Sequence, residues 1–352
     1  MKTGSRAVRL AGVLLSALVA APLVASTPAT ADDYPEGERI NPAALDRGPA
    51  TPLLRLVDHT IIDGGTQVTV TGGANASMVG RSGDDYLVVT SDRNYENWRL
   101  VRVTAAGEQA TVAGGPGTQP PATLADGGAH VVLEAYRRRG NVLRVLDAVS
   151  GEQVARRAFP YVSVLDFGER RMVVGQWENR STPARTFWWN PFTDKLARIA
   201  GKAGYIADVS ADRVGVFLDD PYLGGCQKVM TLSTPRRTMW RSCDDAVMSF
   251  SPTGKRMVTS YILNDGPGPG MIQVRGAAGR LLDTYRARWF GTMHWENDQR
   301  LLLQAATRRT VAMTRCTLRK CERISKLYRT DGRDPWMVMP LWRFADESLL
   351  DR

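Results

Sequence analysis

The chain has 352 residues, of which 43% are hydrophobic, 23% are charged and 33 are glycine. This composition is that of a globular protein able to bury a core, and it excludes a disulfide-dense miniprotein and a multi-span membrane protein. The 46 basic residues exceed the 36 acidic ones by ten, while three histidines and four cysteines exclude a histidine-rich metal site.

The first 31 residues have the three-part pattern of a secretory signal peptide. Three basic residues precede an apolar run over residues 10–24, and Ala29-Thr30-Ala31 supplies small residues before a cleavage site. The alternative is an uncleaved anchor, but a proline interrupts a run already short for a bilayer span of about 20 residues. We predict no membrane span and a secreted protein cleaved near Ala31, whose net charge falls from +10 to +7.

From residue 52 onward the sequence repeats at intervals of about 43 residues. Short β-rich runs, each entered through a polar turn, begin at Leu87, Val131, Met172, Val214, Met257 and Leu301, which we call the repeat markers. Their spacings are 44, 41, 42, 43 and 44 residues. Each interval also contains a hairpin and one further apolar strand, so four antiparallel strands recur. This is the unit of a β-propeller blade.

The two ends of the repeat predict seven blades, with six as the alternative. Residues 342–350 repeat the inner-strand pattern of residues 294–302, whereas residues 53–70 supply outer strands without an inner one. A blade shared by the N- and C-terminal strands would close the ring and remove exposed sheet edges. We therefore predict an all-β fold, with a single seven-bladed β-propeller over residues 52–352 and a flexible lead-in over residues 32–51.

One segment carries a specific resemblance. Residues 251–258 read Ser-Pro-Thr-Gly-Lys-Arg-Met-Val, which resembles the repeats of TolB-like and WD-like β-propellers, where a Ser-Pro-Asp-Gly-Lys turn follows the inner strand. Thr253 replaces the usual Asp, and the other repeats keep the spacing but not the residues of this motif. The resemblance implies a propeller, often a binding scaffold in exported bacterial proteins, and it carries no catalytic residue to this chain.

The four cysteines predict two local disulfides. Cys226 and Cys243 flank one hairpin turn symmetrically, and Cys316 and Cys321 flank the turn of the next hairpin, so each pair would face across two strands. Exported proteins keep such pairs oxidised. A zinc site is the alternative, but it usually needs Cys-x-x-Cys pairs, which are missing. We predict no metal and no cofactor.

The connections between second and third strands predict the ligand-binding end of the propeller. Five residues beyond four of the repeat markers stand Asp92, Tyr136, Trp177 and Asp219. In register, these side chains would surround the mouth of the central channel. The same connections contain Arg138, Glu178, Asp220 and Asp265. Carboxylates beside aromatic rings suit a sugar or a cationic group, and ordinary solvated loop polarity is the alternative.

These observations favour a monomeric, exported, non-enzymatic scaffold that binds a protein or a glycan. One alternative is an extracellular polysaccharide hydrolase or lyase that pairs two of the loop carboxylates, Asp92, Glu178, Asp219 and Asp220. Another is adhesion of arginines to anionic cell-wall polymers. A serine-hydrolase triad is not indicated because no Gly-x-Ser-x-Gly motif is present. Nucleic acid is not an expected partner, since the basic residues are scattered without interleaved aromatics.

Overall fold

A computed structural model describes residues 37–138, 140–178, 182–264, 268–318, 320–339 and 342–345. The predicted signal peptide lies outside the described residues. Seven β-sheets, each containing four antiparallel strands, follow one another around a central channel. The chain is therefore a seven-bladed β-propeller, which confirms the predicted fold class and excludes six blades. No helix among the described residues is long and apolar enough to cross a membrane.

Six blades are built from consecutive strands, which run in order from the inner strand at the channel to the outer strand. Blade 1 has Asn75–Ser82, Asp85–Ser91, Trp98–Val103 and Gln109–Gly115; blade 2 has Ala122–Leu124, His130–Arg137, Gly140–Asp147 and Gln153–Phe159. Blade 3 has Val162–Phe167, Met172–Gln176, Arg185–Asn190 and Lys195–Ala200; blade 4 has Gly204–Asp208, Arg213–Phe217, Gln227–Thr231 and Thr238–Ser242. Blade 5 has Asp245–Phe250, Arg256–Tyr261, Met271–Gly276 and Leu281–Arg286; blade 6 has Trp289–Asn297, Arg300–Ala306, Thr310–Thr317 and Lys320–Arg323, with Tyr328–Arg329 also paired to its third strand.

Blade 7 joins the two ends of the described chain. From the inner strand outward it has Trp342–Phe344, Arg55–Val57, Thr60–Asp63 and Thr66–Thr69. The inner strand pairs antiparallel with the next one, and Phe344 stands opposite Arg55. The predicted closure by N- and C-terminal strands is thus present, although the further strand expected near Leu349 lies outside the described residues.

The repeat markers lie in the core, each near the start of the apolar part of a second strand. All six are at most 2% exposed. The apolar clusters that contain them join neighbouring blades: Leu87 and Val131 share one cluster across blades 1 and 2, and Val214 packs with Trp188 of blade 3. Burial of apolar surface between blades therefore stabilises the ring, and this is why buried residues recur once in each repeat.

Residues 37–51, which belong to the predicted lead-in, follow a path along two blades. Glu38–Arg39 pairs parallel with the outer strand of blade 5, and Ile40 is 1% exposed. Further on, Arg47 bridges the outer strand of blade 6 at Arg323. The segment thereby covers two sheet edges whose backbone N–H and C=O groups would otherwise lie open.

Both predicted disulfides are present. Cys226 is bonded to Cys243, and Cys316 to Cys321, each pair linking adjacent antiparallel strands in the third and outer positions of its blade. No free cysteine occurs among the described residues. The disulfides staple the outer hairpins of blades 4 and 6.

The turn that carries the family resemblance is completed by the next blade. The hydroxyl and backbone N–H of Thr253 both donate to the carboxylate of Asp298. Gly254 follows with φ of 64°, a left-handed conformation that favours glycine. A carboxylate from blade 6 therefore hydrogen-bonds the blade 5 turn at the position where Thr253 replaces Asp.

Candidate functional site

The connections between second and third strands, and those between blades, lie at one end of the propeller, which we call the loop face. The short turns between first and second and between third and fourth strands lie at the other end, the turn face. Seven predicted site residues lie on the loop face: Asp92, Tyr136, Arg138, Trp177, Glu178, Asp219 and Asp220. The eighth, Asp265, lies outside the described residues.

Asp92 shapes its own loop. Its carboxylate accepts hydrogen bonds from the backbone N–H groups of Glu96 (2.8 Å) and Asn94 (2.9 Å) and from the side-chain amide of Asn97 (2.8 Å). These bonds, led by that from Glu96, hold the pKa of Asp92 below its ordinary value. The loop in turn presents Tyr95, whose side chain is 52% exposed.

Asp219 and Asp220 are also engaged locally. Nζ of Lys202 lies 3.1 Å from the Asp219 carboxylate in an exposed ion pair. Asp220 accepts a hydrogen bond from the backbone N–H of Tyr222 (2.9 Å) and so caps the short 3₁₀ turn Pro221–Leu223. Both carboxylates thus support the connection of blade 4 that exposes Tyr222.

The blade 2 and blade 3 connections meet at Tyr161, which lies between the two blades. Its hydroxyl donates to the carbonyl oxygen of Arg138 (3.4 Å), and its carbonyl accepts from the backbone N–H of Trp177 (3.0 Å). The Trp177 ring lies 6.3 Å from that of Phe217 in blade 4. Glu178 is exposed beside it.

Exposed aromatic side chains are concentrated on the loop face. Seven aromatic residues are strongly exposed in the described part of the chain, and six of them form what we call the aromatic rim: Tyr95, Tyr136, Tyr161, Trp177, Tyr222 and Tyr261. Blades 1 to 5 each contribute one from the end of the second strand or its following loop. The seventh, Phe192, lies on the turn face. Counting five residues from each marker identified only Tyr136 and Trp177, because Tyr95 and Tyr222 stand eight residues beyond their markers, Tyr261 stands four beyond its own, and Tyr161 lies between blades.

None of the seven described site residues lines the cavity in the central channel. The central channel contains a cavity of about 300 Å³. Residues of the inner strands of blades 1 to 6, and of the turns that follow them, line this cavity. The predicted residues follow second strands, one strand farther from the axis, and none of them lines this cavity.

Sequence reasoning missed three carboxyl groups that line the channel cavity towards the turn face. Asp126 follows the inner strand of blade 2, whereas Asp166 and Asp208 lie in the last two residues of the inner strands of blades 3 and 4. Asp166 accepts hydrogen bonds from the backbone N–H groups of Phe167 and Val209, and so links blade 3 to blade 4. Burial, reinforced by the charges of Asp208 and Asp126, raises the pKa of Asp166 to about 7. Burial also raises the pKa values of Asp126 and Asp208.

The raised pKa of Asp166 predicts that the protein loses stability as the pH rises. The folded chain binds this proton more tightly than the unfolded chain, so the free energy of unfolding should fall between about pH 4 and pH 7 and then level off. Asp166→Asn should reduce the loss by about 2–4 kcal/mol between pH 4 and pH 8, measured by urea unfolding at each pH. If the free energy of unfolding of the variant fell with pH as steeply as that of the parent protein, Asp166 would not be the source of the pH dependence.

The described residues show no group of three or more His, Cys, Asp or Glu side chains arranged to hold a metal ion. His294 lines the channel cavity, where its ring stacks on Phe344 with centroids 4.5 Å apart. Burial lowers the pKa of His294 to about 4, so the ring is neutral near pH 7. The neutral His294 ring therefore packs between blades 6 and 7.

No protein-family model and no curated protein matches the sequence. Among solved structures, a chain from a study of two prolyl endopeptidases aligns with a TM-score of 0.53 at 11% identity, over 72% of this chain and 43% of that one. TolB from Acinetobacter baumannii aligns with a TM-score of 0.44 at 11% identity, over 70% of this chain and 63% of that one. The β-propeller domain of the Trilobed protease from Pyrococcus furiosus aligns with a TM-score of 0.49 at 8% identity, over 80% of this chain and 100% of that one.

These similarities are similarities of fold. This chain spans less than two thirds of the prolyl endopeptidase and TolB chains. The seven-bladed architecture is the fold that the predicted resemblance to TolB-like and WD-like β-propellers implies.

Proposed function

We propose that this protein is an exported, non-enzymatic β-propeller that recognises a protein or a glycan through its loop face. The observation that carries the proposal is the aromatic rim. Single exposed aromatic residues are common, but six on the loop face against one on the turn face of the described chain favours the loop face as the binding face. Tyrosine and tryptophan also contribute most to binding energy at recognition surfaces.

The polar groups around the rim favour binding over catalysis. A glycoside hydrolase needs two carboxyl groups about 5–9.5 Å apart across the substrate. Asp92, Asp219 and Asp220 instead hold their own loops through the hydrogen bonds and the ion pair described above. These contacts present Tyr95 and Tyr222 in fixed positions, which reduces the ordering cost of binding.

Export is supported by two features of different origin. The first 31 residues have the signal-peptide pattern, and the two disulfides are a form of cross-link that persists in oxidising compartments. The partners would then be surface or extracellular proteins and polysaccharides.

The proposal predicts that removing rim aromatics weakens binding without affecting the fold. The disulfide-intact protein is screened against polysaccharides and exported proteins, and Trp177→Ala and Tyr222→Ala are then compared with it by surface plasmon resonance. Each should bind the selected ligand at least about tenfold more weakly, equivalent to 1.4 kcal/mol.

Phe192→Ala is the matched control, because it removes an exposed aromatic ring from the turn face. Its affinity should remain within about twofold of the parent protein. Equal losses in all three variants, or turnover of the ligand that one loop carboxylate controls, would refute the proposal.

A further inference from the structure

A second cavity opens on the loop face between blade 7 and blade 1. We call it the junction pocket; its volume is about 410 Å³. Asp58 and His59 line it from the turn between the second and third strands of blade 7, and Tyr95 lines it from blade 1. The pocket is also lined by Arg343, in the inner strand of blade 7, and by Met337, in the short helix Pro335–Val338.

Strained backbone is concentrated at this pocket. Eight non-glycine residues in the described chain have positive φ, and three of them line the pocket: Asp58 (54°), His59 (81°) and Tyr95 (60°). A two-residue hairpin turn with two positive φ angles favours Asn-Gly, and a bulky tyrosine rarely adopts such a φ. Conformations of this kind cluster at ligand sites, where function retains residues that local stability does not favour.

Arg343 supplies a positive charge that forms no ion pair with an acidic side chain among the described residues. Its backbone stands opposite Leu56 in the closing pair of strands, and its side chain is half-buried. It has no hydrogen bond or ion pair with the residues that the structure describes. A guanidinium group in a cavity favours a carboxylate or phosphate, with which it forms charge-assisted hydrogen bonds.

The surroundings of the pocket add positive charge. The adjoining loop-face connections of blade 6 contain exposed arginines and aspartates that form no ion pair within the described chain: Arg308, Arg309, Arg329, Arg333, Asp331 and Asp334. The four arginines outnumber the two aspartates, so this side of the loop face attracts anions.

We propose that the junction pocket binds a carboxylate-bearing sugar, an acidic residue of a glycan chain. Arg343 pairs with the carboxylate, the exposed carboxylate of Asp58 accepts hydrogen bonds from sugar hydroxyls, and Tyr95 offers a ring face to the sugar. The imidazole of His59, whose Nε2 lies 3.3 Å from the Ala74 carbonyl oxygen, adds a further polar edge. A simple anion would leave Asp58 facing a like charge, which is why a hydroxylated acid fits better. The inference rests on the proposed function, because Tyr95 belongs to the aromatic rim.

The test titrates glucuronic acid, glucose, acetate, inorganic phosphate and a short peptide with a free C-terminus into the disulfide-intact protein by calorimetry. Glucuronic acid should bind at least tenfold more tightly than each of the others. Arg343→Gln should weaken its binding at least tenfold. Arg170→Gln, which removes an exposed arginine from the turn face, should leave it within twofold. Glucose, acetate, phosphate or the peptide binding as tightly as glucuronic acid, or equal losses in the two arginine variants, would overturn the proposal.

His59→Gly keeps the test informative if Arg343→Gln fails to fold. Glycine is the residue that this turn position favours, so the variant should melt at no lower temperature than the parent while binding glucuronic acid several-fold more weakly. Unchanged binding in a folded His59→Gly variant would also count against the site. If glucuronic acid does not bind at all while Trp177→Ala and Tyr222→Ala still lose their screened ligand, this inference fails and the proposed function stands.

Discussion

Replacement of Phe344 by alanine should lower the free energy of unfolding by about 3–5 kcal/mol. Phe344 is 1% exposed and lies in the only strand that the C-terminal part of the described chain contributes to blade 7. Its ring stacks on His294 of blade 6, so the substitution opens a cavity where the ring of blades closes. Urea unfolding of the parent and variant, followed by tryptophan fluorescence, measures the difference.

Phe192→Ala is again the matched control for this prediction. It deletes the same atoms from a side chain that is 39% exposed, so its cost should stay below about 1 kcal/mol. Similar costs for the two phenylalanines would mean that closure through blade 7 does not hold the propeller together.

Arg315→Met should lower the free energy of unfolding by about 3 kcal/mol or more. Arg315 is 5% exposed; its Nη2 lies 2.6 Å from Glu296 and its Nη1 lies 2.8 Å from Glu322. The same guanidinium donates to the carbonyl oxygen of Pro49 (3.0 Å), which fastens residues 37–51 to blade 6. Burial alone would raise the pKa of Glu296, but hydrogen bonds from Arg315 bring it below its ordinary value. Removing the arginine therefore leaves a buried carboxylate that lacks its main partner.

A second substitution separates the buried charge from lost packing. Glu296→Gln removes the carboxylate, so the Arg315→Met/Glu296→Gln double variant should recover at least half of the stability that Arg315→Met loses. The measurement is the same urea titration at pH 7. A double variant as unstable as the sum of the two single variants would show that the ion pair is not the source of the effect.

The fold could be predicted because the same pattern of apolar residues recurs in each blade along the sequence. Each repeat marker falls in the buried part of a second strand, so six apolar residues recur at the spacing of the blades. The disulfides were predictable for a similar reason, since hairpin symmetry places Cys316 opposite Cys321. Closure followed from the N-terminal strands that lack an inner strand of their own.

Contacts between distant repeats could not be predicted in the same way. Glu38–Arg39 has no strand pattern, and its pairing depends on an outer strand more than 240 residues later. Asp126, Asp166 and Asp208 resemble ordinary turn residues along the sequence. They line one cavity only because the ring brings the ends of the inner strands of blades 2, 3 and 4 together around the axis. The loops also differ in length, so a count of five residues from each repeat marker did not reach Tyr95 and Tyr222.

Hydroxyl-radical footprinting tests the central claim, recognition through the loop face, most directly, because it reports the exposure of individual aromatic side chains. The protein is oxidised with and without the ligand selected by the binding screen. Oxidation of Trp177 and Tyr222 should fall several-fold on binding, whereas that of Phe192 on the turn face should remain unchanged. Protection of Phe192 with undiminished oxidation of Trp177 and Tyr222 would contradict the account.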